Sequence, residues 1–382
     1  MKHDLTASDI LPANAADAIC VGRVWRDGPM AGPHIVKIDG DVLVDVSQLA
    51  PTMSDLLEIP DVVNELRRYK GEQIMSLQSA LNLNLLLAPP DLQAIKASGV
   101  TFADSALERV IEESVYGEPE NAGEVRARIA ATLGGSLKGV KPGSEEAAKL
   151  KSVLINEGMW SQYLEVAIGP DPEIFTKCQP LASVGCGAEI GVHPNSAWNN
   201  PEAEIVLAVT SSGAIVGASL GNDVNLRDFE GRSALLLGLA KDNNASCAIG
   251  PFIRLFDENF TLNDIRQAEV NVTISGEDGF SESGSTSMSD ISRDPELLVR
   301  AAINDNHRFP DGMLLFLGTM FTPRKNRNGE FGGFTHKPGD IVTIRSKNLG
   351  ALVNPVTTSD RAMPWRFGMR CLMRSLSARD LI

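Results

Sequence analysis

Residues 201–209, PEAEIVLAV, and residues 214–228, AIVGASLGNDVNLRD, decide the fold and contain the candidate site. Glu202 and Glu204 stand two residues apart in an alternating stretch, so a β-strand would place both side chains on one face. The serine–serine–glycine segment between the two stretches predicts a hairpin turn. The returning strand would bring Asp223 close to the two glutamates. Three carboxylates, without thiolates or clustered imidazoles, suit Mg²⁺, Mn²⁺ or Ca²⁺ rather than zinc.

A simpler interpretation of the two glutamates is that they form the solvent face of an edge strand. The polar groups that follow, Asn222-Asp223 and Arg227-Asp228, stand among strongly apolar segments. Burying so many polar groups without a ligand or partners would be costly. We therefore interpret the glutamates as part of a buried metal site.

Composition excludes several classes of function. The 382 residues carry a formal net charge of −14, which argues against nucleic acid and anionic membranes as partners. No apolar run approaches the roughly 20 residues of a membrane span, and the N-terminus lacks the basic and apolar segments of a signal peptide. The five scattered cysteines contain no CxxC pair, so they predict buried thiols rather than disulfides or a zinc site. We therefore expect a cytoplasmic protein.

Periodicity predicts an α+β fold with a dominant β core, because strands and helices fall in separate runs. Residues 18–50 indicate short strands, and the chain becomes strand-rich again from about residue 165. Helices are predicted at Asp55–Tyr69 with an interruption near Pro60, Ser105–Tyr116, Glu124–Gly134, Ser144–Glu157, Phe229–Leu239 and Asp294–Asn304.

Two punctuated segments suggest how the chain is organised. The Pro89-Pro90 break predicts a join between a small β-rich N-terminal α+β domain, residues 1–90, and a catalytic domain, residues 91–382. The Ser- and Gly-rich segment Gly276–Asp294 is predicted to be a loop that faces a partner or covers a substrate.

Two further residues are candidates whose roles the sequence leaves open. Lys241 ends a predicted helix and precedes a polar run. Beside a metal it could have a lowered pKa and accept a proton, whereas a solvent-facing lysine at a helix C-terminus is the ordinary alternative. Thr319 follows Gly318 in an apolar strand, where its hydroxyl could bind a ligand carboxylate or a backbone carbonyl.

Together these segments resemble the fumarylacetoacetate hydrolase superfamily. The family pattern begins with G-x-N-Y-x-x-H-x-x-E, for which this chain has GVTFADSALE at residues 99–108. It continues with F-x-K, E-x-E, N-D-x-S-x-R-D, a lysine, T-G-T and P-G-D. The matching segments are Phe175–Lys177, Glu202 to Glu204, Asn222–Asp228, Lys241, Leu317–Thr319 and Pro338–Asp340. They occur in one consistent order over about residues 90–360.

The resemblance implies a mixed β-sandwich or roll for the catalytic domain and a role for each matched residue. It implies metal ligation, to Mg²⁺ or else Mn²⁺ or Ca²⁺, by Glu202, Glu204 and Asp223. It places Lys241, Glu108 and Ser105 at catalytic positions, and Lys177, Thr319, Phe102 and Arg227 at substrate-binding positions.

Ser105 departs from the family pattern, because hydrolytic members carry there the histidine that activates water. A serine cannot serve unaided as a base at neutral pH, whereas Glu108 remains and could move protons. The resemblance therefore favours metal-stabilised enolate chemistry without attack by water.

The resemblance extends to the sugar-acid dehydratase branch of the superfamily, through GMWSQYLEVAIGPDPEIFTK, GNDVNLRDFEGRSALLL and AKDNNASCAIGPF. It implies a hydro-lyase that removes water from a 2-keto-3-deoxy-pentonate, derived from xylonate or arabinonate, to give 2,5-dioxopentanoate. A hydrolase or decarboxylase of acylpyruvate-like diketo acids is the alternative. The expected partners are a small 2-oxo sugar acid and further copies of the chain, in a homodimer or dimer of dimers.

Overall fold

A computed structural model of the chain describes residues 5–28, 31–116, 118, 122–125, 127, 139–156, 158, 160–327 and 333–382. Its strands are β1 Cys20–Arg26, β2 Gly32–Asp39, β3 Val42–Asp45, β4 Gln73–Ser76, β5 Leu86–Leu87, β6 Ala94–Gly99, β7 Glu173–Cys178, β8 Ile190–Val192, β9 Asn199–Asn200, β10 Ala203–Val209, β11 Ile215–Asp223, β12 Asn225–Leu226, β13 Cys247–Leu255, β14 Glu269–Ser275, β15 Ser281–Ser287, β16 Met313–Phe316, β17 Ile341–Ser346 and β18 Gly350–Thr358. Its helices are α1 Ala7–Ile10, α2 Met53–Glu58, α3 Val62–Arg68, α4 Leu77–Asn82, α5 Ala103–Ser114, α6 Glu145–Asn156, α7 Gln162–Ile168, α8 Arg227–Glu230, α9 Leu237–Lys241, α10 Leu262–Arg266, α11 Pro295–Ala302 and α12 Met369–Ala378.

Most strands join one large mixed sheet, in the order β4-β3-β2-β1-β13-β11-β10-β16-β6-β7, with β5 paired to β1. A second sheet has the order β15-β14-β17-β18-β8, and β9 pairs separately with β12. The β16–β6 and β18–β8 pairs are parallel, while the central β10–β11–β13 strands are antiparallel. The predicted α+β class with a dominant β core is confirmed.

Strand β10 explains why the sequence around the acids is so apolar. Ile205, Leu207 and Val209 face one hydrophobic cluster, and Val206 and Ala208 face another on the opposite side of the sheet. A strand covered on both faces carries a continuous apolar run rather than an alternating one. The predicted hairpin is confirmed, because β10 pairs with β11 across the turn that precedes Ile215.

The predicted helices are mostly confirmed. Asp55–Tyr69 is interrupted near Pro60 as predicted and forms α2 and α3, while Ser105–Tyr116, Ser144–Glu157 and Asp294–Asn304 correspond to α5, α6 and α11. The predicted helix Glu124–Gly134 lies largely outside the described residues.

The prediction of one helix over Phe229–Leu239 was wrong. This segment forms α8, a 3₁₀ turn at Ala234–Leu236 and then α9. The break follows Gly231, and the Ser233 hydroxyl accepts a hydrogen bond from the Leu235 N–H and so begins the new turn.

The segment Gly276–Asp294, predicted as a loop, contains strand β15 in a hairpin with β14. The segment has too few apolar residues to predict a strand from the sequence. Strand β15 forms because its backbone groups pair with those of β14, whose alternate residues are buried.

The domain boundary near residue 90 stays a prediction. Strand β1, from the N-terminal part, pairs with β13 at Cys20–Arg254 and Val21–Ile253, so the large sheet includes strands from both sides of the boundary. Among the described helices, none has the length and apolar character needed to cross a membrane.

Candidate metal centre

The β10–β11 hairpin brings the three predicted metal ligands together. Glu204 lies opposite Gly221 in the ladder, and the Asp223 N–H donates to the Glu202 carbonyl at 2.9 Å. Glu202, Glu204 and Asp223 are buried, and each offers an oxygen within 4.8 Å of the other two. Gly221 makes room for Phe316 beside this part of the ladder, since a Cβ there would lie 2.2 Å from the Phe316 ring.

The backbone after β16 holds Glu204 in place. The Gly318 N–H donates to one Glu204 oxygen at 2.6 Å, and the Thr319 hydroxyl lies 3.5 Å from the other. Gly318 has a φ of +103°, and a Cβ there would lie 1.9 Å from the Thr101 hydroxyl. Only glycine fits this left-handed, close-packed position. Thr319, predicted to bind substrate, therefore contacts a candidate metal ligand.

Two buried lysines flank Asp223. The Lys241 Nζ lies 2.5 Å from Glu202 and 3.1 Å from Asp223. The Lys177 Nζ lies 2.8 Å from the other Asp223 oxygen, donates to the Val224 carbonyl at 3.1 Å and also donates to the Lys241 carbonyl. An ammonium has three protons, and two of those of Lys177 are donated to backbone carbonyls, while its contact with Asp223 is an ion pair.

The lowered pKa expected for Lys241 is contradicted. Burial alone would lower the pKa of its ammonium, but the attraction of Asp223 and then of Glu202 outweighs burial and raises the pKa instead. Lys241 is therefore held as a cation, which suits a group that polarises an oxygen rather than one that gives up its proton.

Glu202 and Glu204 differ sharply in their electrostatic surroundings. Burial would raise the pKa of Glu202, but Arg109 and Lys241 outweigh it and lower that pKa to about 2. Burial, followed by repulsion from Asp223 and Glu202, raises the pKa of Glu204 well above its usual range. Lys241 and the Gly318 N–H thus compensate a negative charge at Glu204 only in part.

The charges of the surrounding side chains fit a divalent cation. Among the described residues, the fully buried charged groups around the three acids are six carboxylates and four cations: Glu108, Glu112, Glu202, Glu204, Asp223 and Glu230 against Arg109, Lys177, Arg227 and Lys241. Glu108 has a further partner in the half-exposed Arg324, and a dication bound by the hard oxygens of the three acids would supply positive charge where the raised pKa of Glu204 shows that these cations do not suffice.

Helix α5 contributes a cation that sequence reasoning missed. The Arg109 guanidinium forms an ion pair with Glu202, lies 2.5 Å from Glu112 and lies 3.0 Å from Glu230. Arg109 thereby fixes one oxygen of Glu202, while the other faces Lys241. The spacing of Ser105, Glu108, Arg109 and Glu112 would have indicated it, since residues three and four apart share a helix face.

Glu108 and Ser105 are the other residues of α5 that were predicted to act in the site. Glu108 forms ion pairs with Arg227 at 2.8 Å and Arg324 at 3.2 Å. The Ser105 hydroxyl donates to the Phe102 carbonyl at 3.1 Å.

Phe102 and Arg227 were both predicted to bind substrate. Phe102 lines a cavity of about 440 Å³ together with Met320, the residue after Thr319. The Arg227 guanidinium instead packs 4.3 Å from the Trp198 ring and lies 2.6 Å from Glu112. Two of its donors are therefore engaged by Glu108 and Glu112.

Comparisons with known proteins identify the family. Residues 155–357 match the family model described as fumarylacetoacetate (FAA) hydrolase C-terminal. The chain is 34% identical over 192 residues to a 2-dehydro-3-deoxy-D-arabinonate dehydratase of Saccharolobus solfataricus, covering 48% of this chain and 58% of that protein. It is 31% identical over 215 residues to a probable 2-keto-3-deoxyxylonate dehydratase of Haloferax volcanii, covering 56% of this chain and 68% of that protein.

Solved structures show the same fold. A 2-keto-3-deoxy-D-arabinonate dehydratase in its apo form superposes with a TM-score of 0.63 at 23% identity, over 89% of this chain and 99% of that one. Its complex with magnesium and 2,5-dioxopentanoate superposes with a TM-score of 0.62 at the same identity and coverage. With a family model that matches more than half of its residues, the chain belongs to the fumarylacetoacetate hydrolase family.

Proposed function

We propose that the protein is a divalent-metal-dependent hydro-lyase that converts a 2-keto-3-deoxy-D-pentonate to 2,5-dioxopentanoate and water. The observation that carries the proposal is the buried group of Glu202, Glu204 and Asp223 with Lys241 beside it. The names of the two sequence relatives support the substrate class.

The three carboxylates would hold the cation, and magnesium is the ion we propose, because all the donors are hard oxygens. When bound, such a cation would accept the carboxylate and keto oxygens of a 2-oxo acid and polarise the ketone. In the fold, Gly318 and Arg109 each fix one of the glutamates, so the ligand set is organised before substrate arrives.

Dehydration then needs a proton removed from C3 and a hydroxyl lost from C4 as water. Transfer of a C5 proton to C3 then gives the C4=C5 enol, and movement of its hydroxyl proton to C4 gives the aldehyde. Lys241, held as a cation by Glu202 and Asp223, is suited to polarise the keto group and to hydrogen-bond the departing hydroxyl, whose extra proton is the one removed from C3. Glu108, which is buried in α5 next to Arg109, is the proposed carrier of the C3 proton.

Ser105 supports dehydration over hydrolysis. Its hydroxyl donates a hydrogen bond to the Phe102 carbonyl at the start of α5. A serine hydroxyl at this position supplies no base to activate water. The diketo-acid hydrolase alternative needs such a base.

The test compares two substrates. The protein is incubated with 2-keto-3-deoxy-D-pentonate and with acetylpyruvate, each with Mg²⁺ or with EDTA. We expect an aldehyde from the first substrate that EDTA abolishes, and no pyruvate from the second. Release of pyruvate from acetylpyruvate without aldehyde formation would replace the proposal with the hydrolase alternative.

We also propose that the chain assembles as a homodimer or dimer of dimers in the cytosol and that residues 1–90 form a separate small domain, as the resemblance implies. Light scattering coupled to size-exclusion chromatography measures the assembly directly. Limited proteolysis measures whether a cut near residue 90 leaves residues 91–382 folded.

A further inference from the structure

A pair of buried amides lies directly beside the carboxylates of the metal centre. Asn200 in β9 pairs with Asn225 in β12. The same two chain segments carry Glu202 and Asp223, which are joined by a backbone hydrogen bond of 2.9 Å. The β9–β12 pairing therefore continues the register of the β10–β11 ladder beyond the acids.

The register places the amides and the acids on one face. Side chains alternate along a strand with a period of two. Asn200 therefore lies on the same side as Glu202, two residues before it, and Asn225 lies on the same side as Asp223, two residues after it. The next row in this register is Trp198 and Arg227, whose side chains touch at 4.3 Å. The amide pair thus lies between the row of acids and the row formed by Trp198 and Arg227.

The amides are buried without the partners such groups normally have. Asn200 and Asn225 are 1% and 0% exposed. Within the described part of the chain, the Asn225 side chain has no hydrogen-bond partner for either its oxygen or its nitrogen, and the Asn200 oxygen has none. Because nearly all buried polar atoms in folded proteins are paired, one donor and two acceptors await a ligand here.

A hydroxyl group fits this set, since it both donates and accepts. Two residues along a strand span about 6.7 Å, which is comparable with the length of a five-carbon acid. A 2-oxo acid held at the acids by its keto end, and extended along the strands toward β9 and β12, would place its far end at the amides. We propose that Asn200 and Asn225 bind the C5 hydroxyl of the substrate and so determine its specificity. This inference rests on the proposed function.

The experiment uses two substrates that differ only in that hydroxyl. 2-Keto-3-deoxy-D-pentonate and 4-hydroxy-2-oxopentanoate share the carbon skeleton, the keto acid and the C4 hydroxyl. In Asn225→Ala we expect kcat/KM for the pentonate to fall about 10- to 100-fold, because polar groups built to bind a hydroxyl discriminate strongly against its absence. The change for the analogue should stay within about threefold, and Mg²⁺ affinity by calorimetry should be unaltered.

Asn199→Ala is the matched control. Asn199 lies next to Asn200 in β9 but on the opposite face of the strand, where its side-chain oxygen accepts from the His336 backbone N–H at 3.1 Å. Its loss should therefore leave the preference between the two substrates unchanged. If Asn225→Ala does not fold, Asn225→Ser and Asn200→Ala make the same comparison.

Equal losses on both substrates, or no loss on either, would overturn the inference while an active wild type leaves the proposed function standing. A wild type that turns over neither substrate overturns the proposed function. Calorimetric affinity for the pentonate then tests the inference, which fails if Asn225→Ala binds as tightly as the wild type.

Discussion

The two lysines beside Asp223 have different surroundings, and this difference predicts different roles. Lys241 forms ion pairs with Glu202 and Asp223 and lies 5.6 Å from the centre of the Phe175 ring, whereas Lys177 donates to two backbone carbonyls. We expect Lys241→Ala to lower kcat by about 10²- to 10⁴-fold, the range for loss of a group that transfers or stabilises a proton. Mg²⁺ affinity, measured by calorimetry, should survive. Near-normal turnover would remove Lys241 from the reaction.

Lys177 was predicted to bind substrate, but its ion pair with Asp223 and its hydrogen bonds to two backbone carbonyls instead predict that it positions Asp223. In Lys177→Met we expect the Kd for Mg²⁺ to rise about 10- to 100-fold, as when a residue that orients a metal ligand is lost. KM for substrate at saturating Mg²⁺ should change little.

Lys37→Met is the control for Lys177→Met. The Lys37 ammonium also donates to two carbonyls, those of Leu66 and Tyr69 at 2.6 and 2.8 Å, but it lies apart from the acids. Its loss should leave Mg²⁺ affinity intact. A raised KM with unchanged metal affinity in Lys177→Met would restore the substrate-binding role.

At the scale of elements, the turn after β16 couples backbone geometry to the metal centre. In Gly318→Ala a methyl group would meet the Thr101 hydroxyl, and the left-handed φ of +103° would be strained. We expect the free energy of unfolding to fall by about 1–3 kcal/mol, the cost of such strain. Mg²⁺ affinity should fall as well, because the N–H that binds Glu204 is displaced. Chemical denaturation and calorimetry measure the two effects.

Gly279→Ala is the control for Gly318→Ala, because it strains a left-handed glycine that does not contact the metal centre. Gly279 has a φ of +81° with no neighbouring atom within 4 Å of the added Cβ. This variant should lose some stability but retain Mg²⁺ affinity. Equal metal affinities in the two glycine variants would mean that the Gly318 N–H does not organise Glu204.

The elements that sequence reasoning predicted are those with a strong local signal. The β10–β11 hairpin follows from alternating acids, an apolar run and a turn, all within residues 201–228. Strand β15 was missed because serine and glycine are poor strand formers, and its pairing with β14 decides its conformation. Spacing could have shown that Arg109 shares a helix face with Glu108, but the ion pairs of Arg109 with Glu202 and of Lys177 with Asp223 join residues far apart in the chain, which spacing cannot reveal.

For the whole molecule, the central question is how six buried carboxylates are tolerated. Four cations offset most of the charge, and the raised pKa of Glu204, caused by burial and by repulsion from Asp223 and Glu202, shows where compensation is incomplete. Stability and metal binding are therefore coupled, because a ligand that binds only the folded state stabilises it. At 100 times its Kd, Mg²⁺ should add about 2.7 kcal/mol to the free energy of unfolding.

Glu204→Gln tests this coupling, because it removes one buried negative charge while keeping the shape of the side chain. We expect the metal-free variant to have a higher Tm than the metal-free wild type, since desolvation and repulsion are relieved. Addition of Mg²⁺ should raise the Tm of the wild type and leave that of the variant unchanged. Glu269→Gln, at an exposed position of β14, should respond to Mg²⁺ as the wild type does. A Glu204→Gln protein that is less stable without metal, yet still stabilised by Mg²⁺, would show that Glu204 is a structural carboxylate rather than a metal ligand.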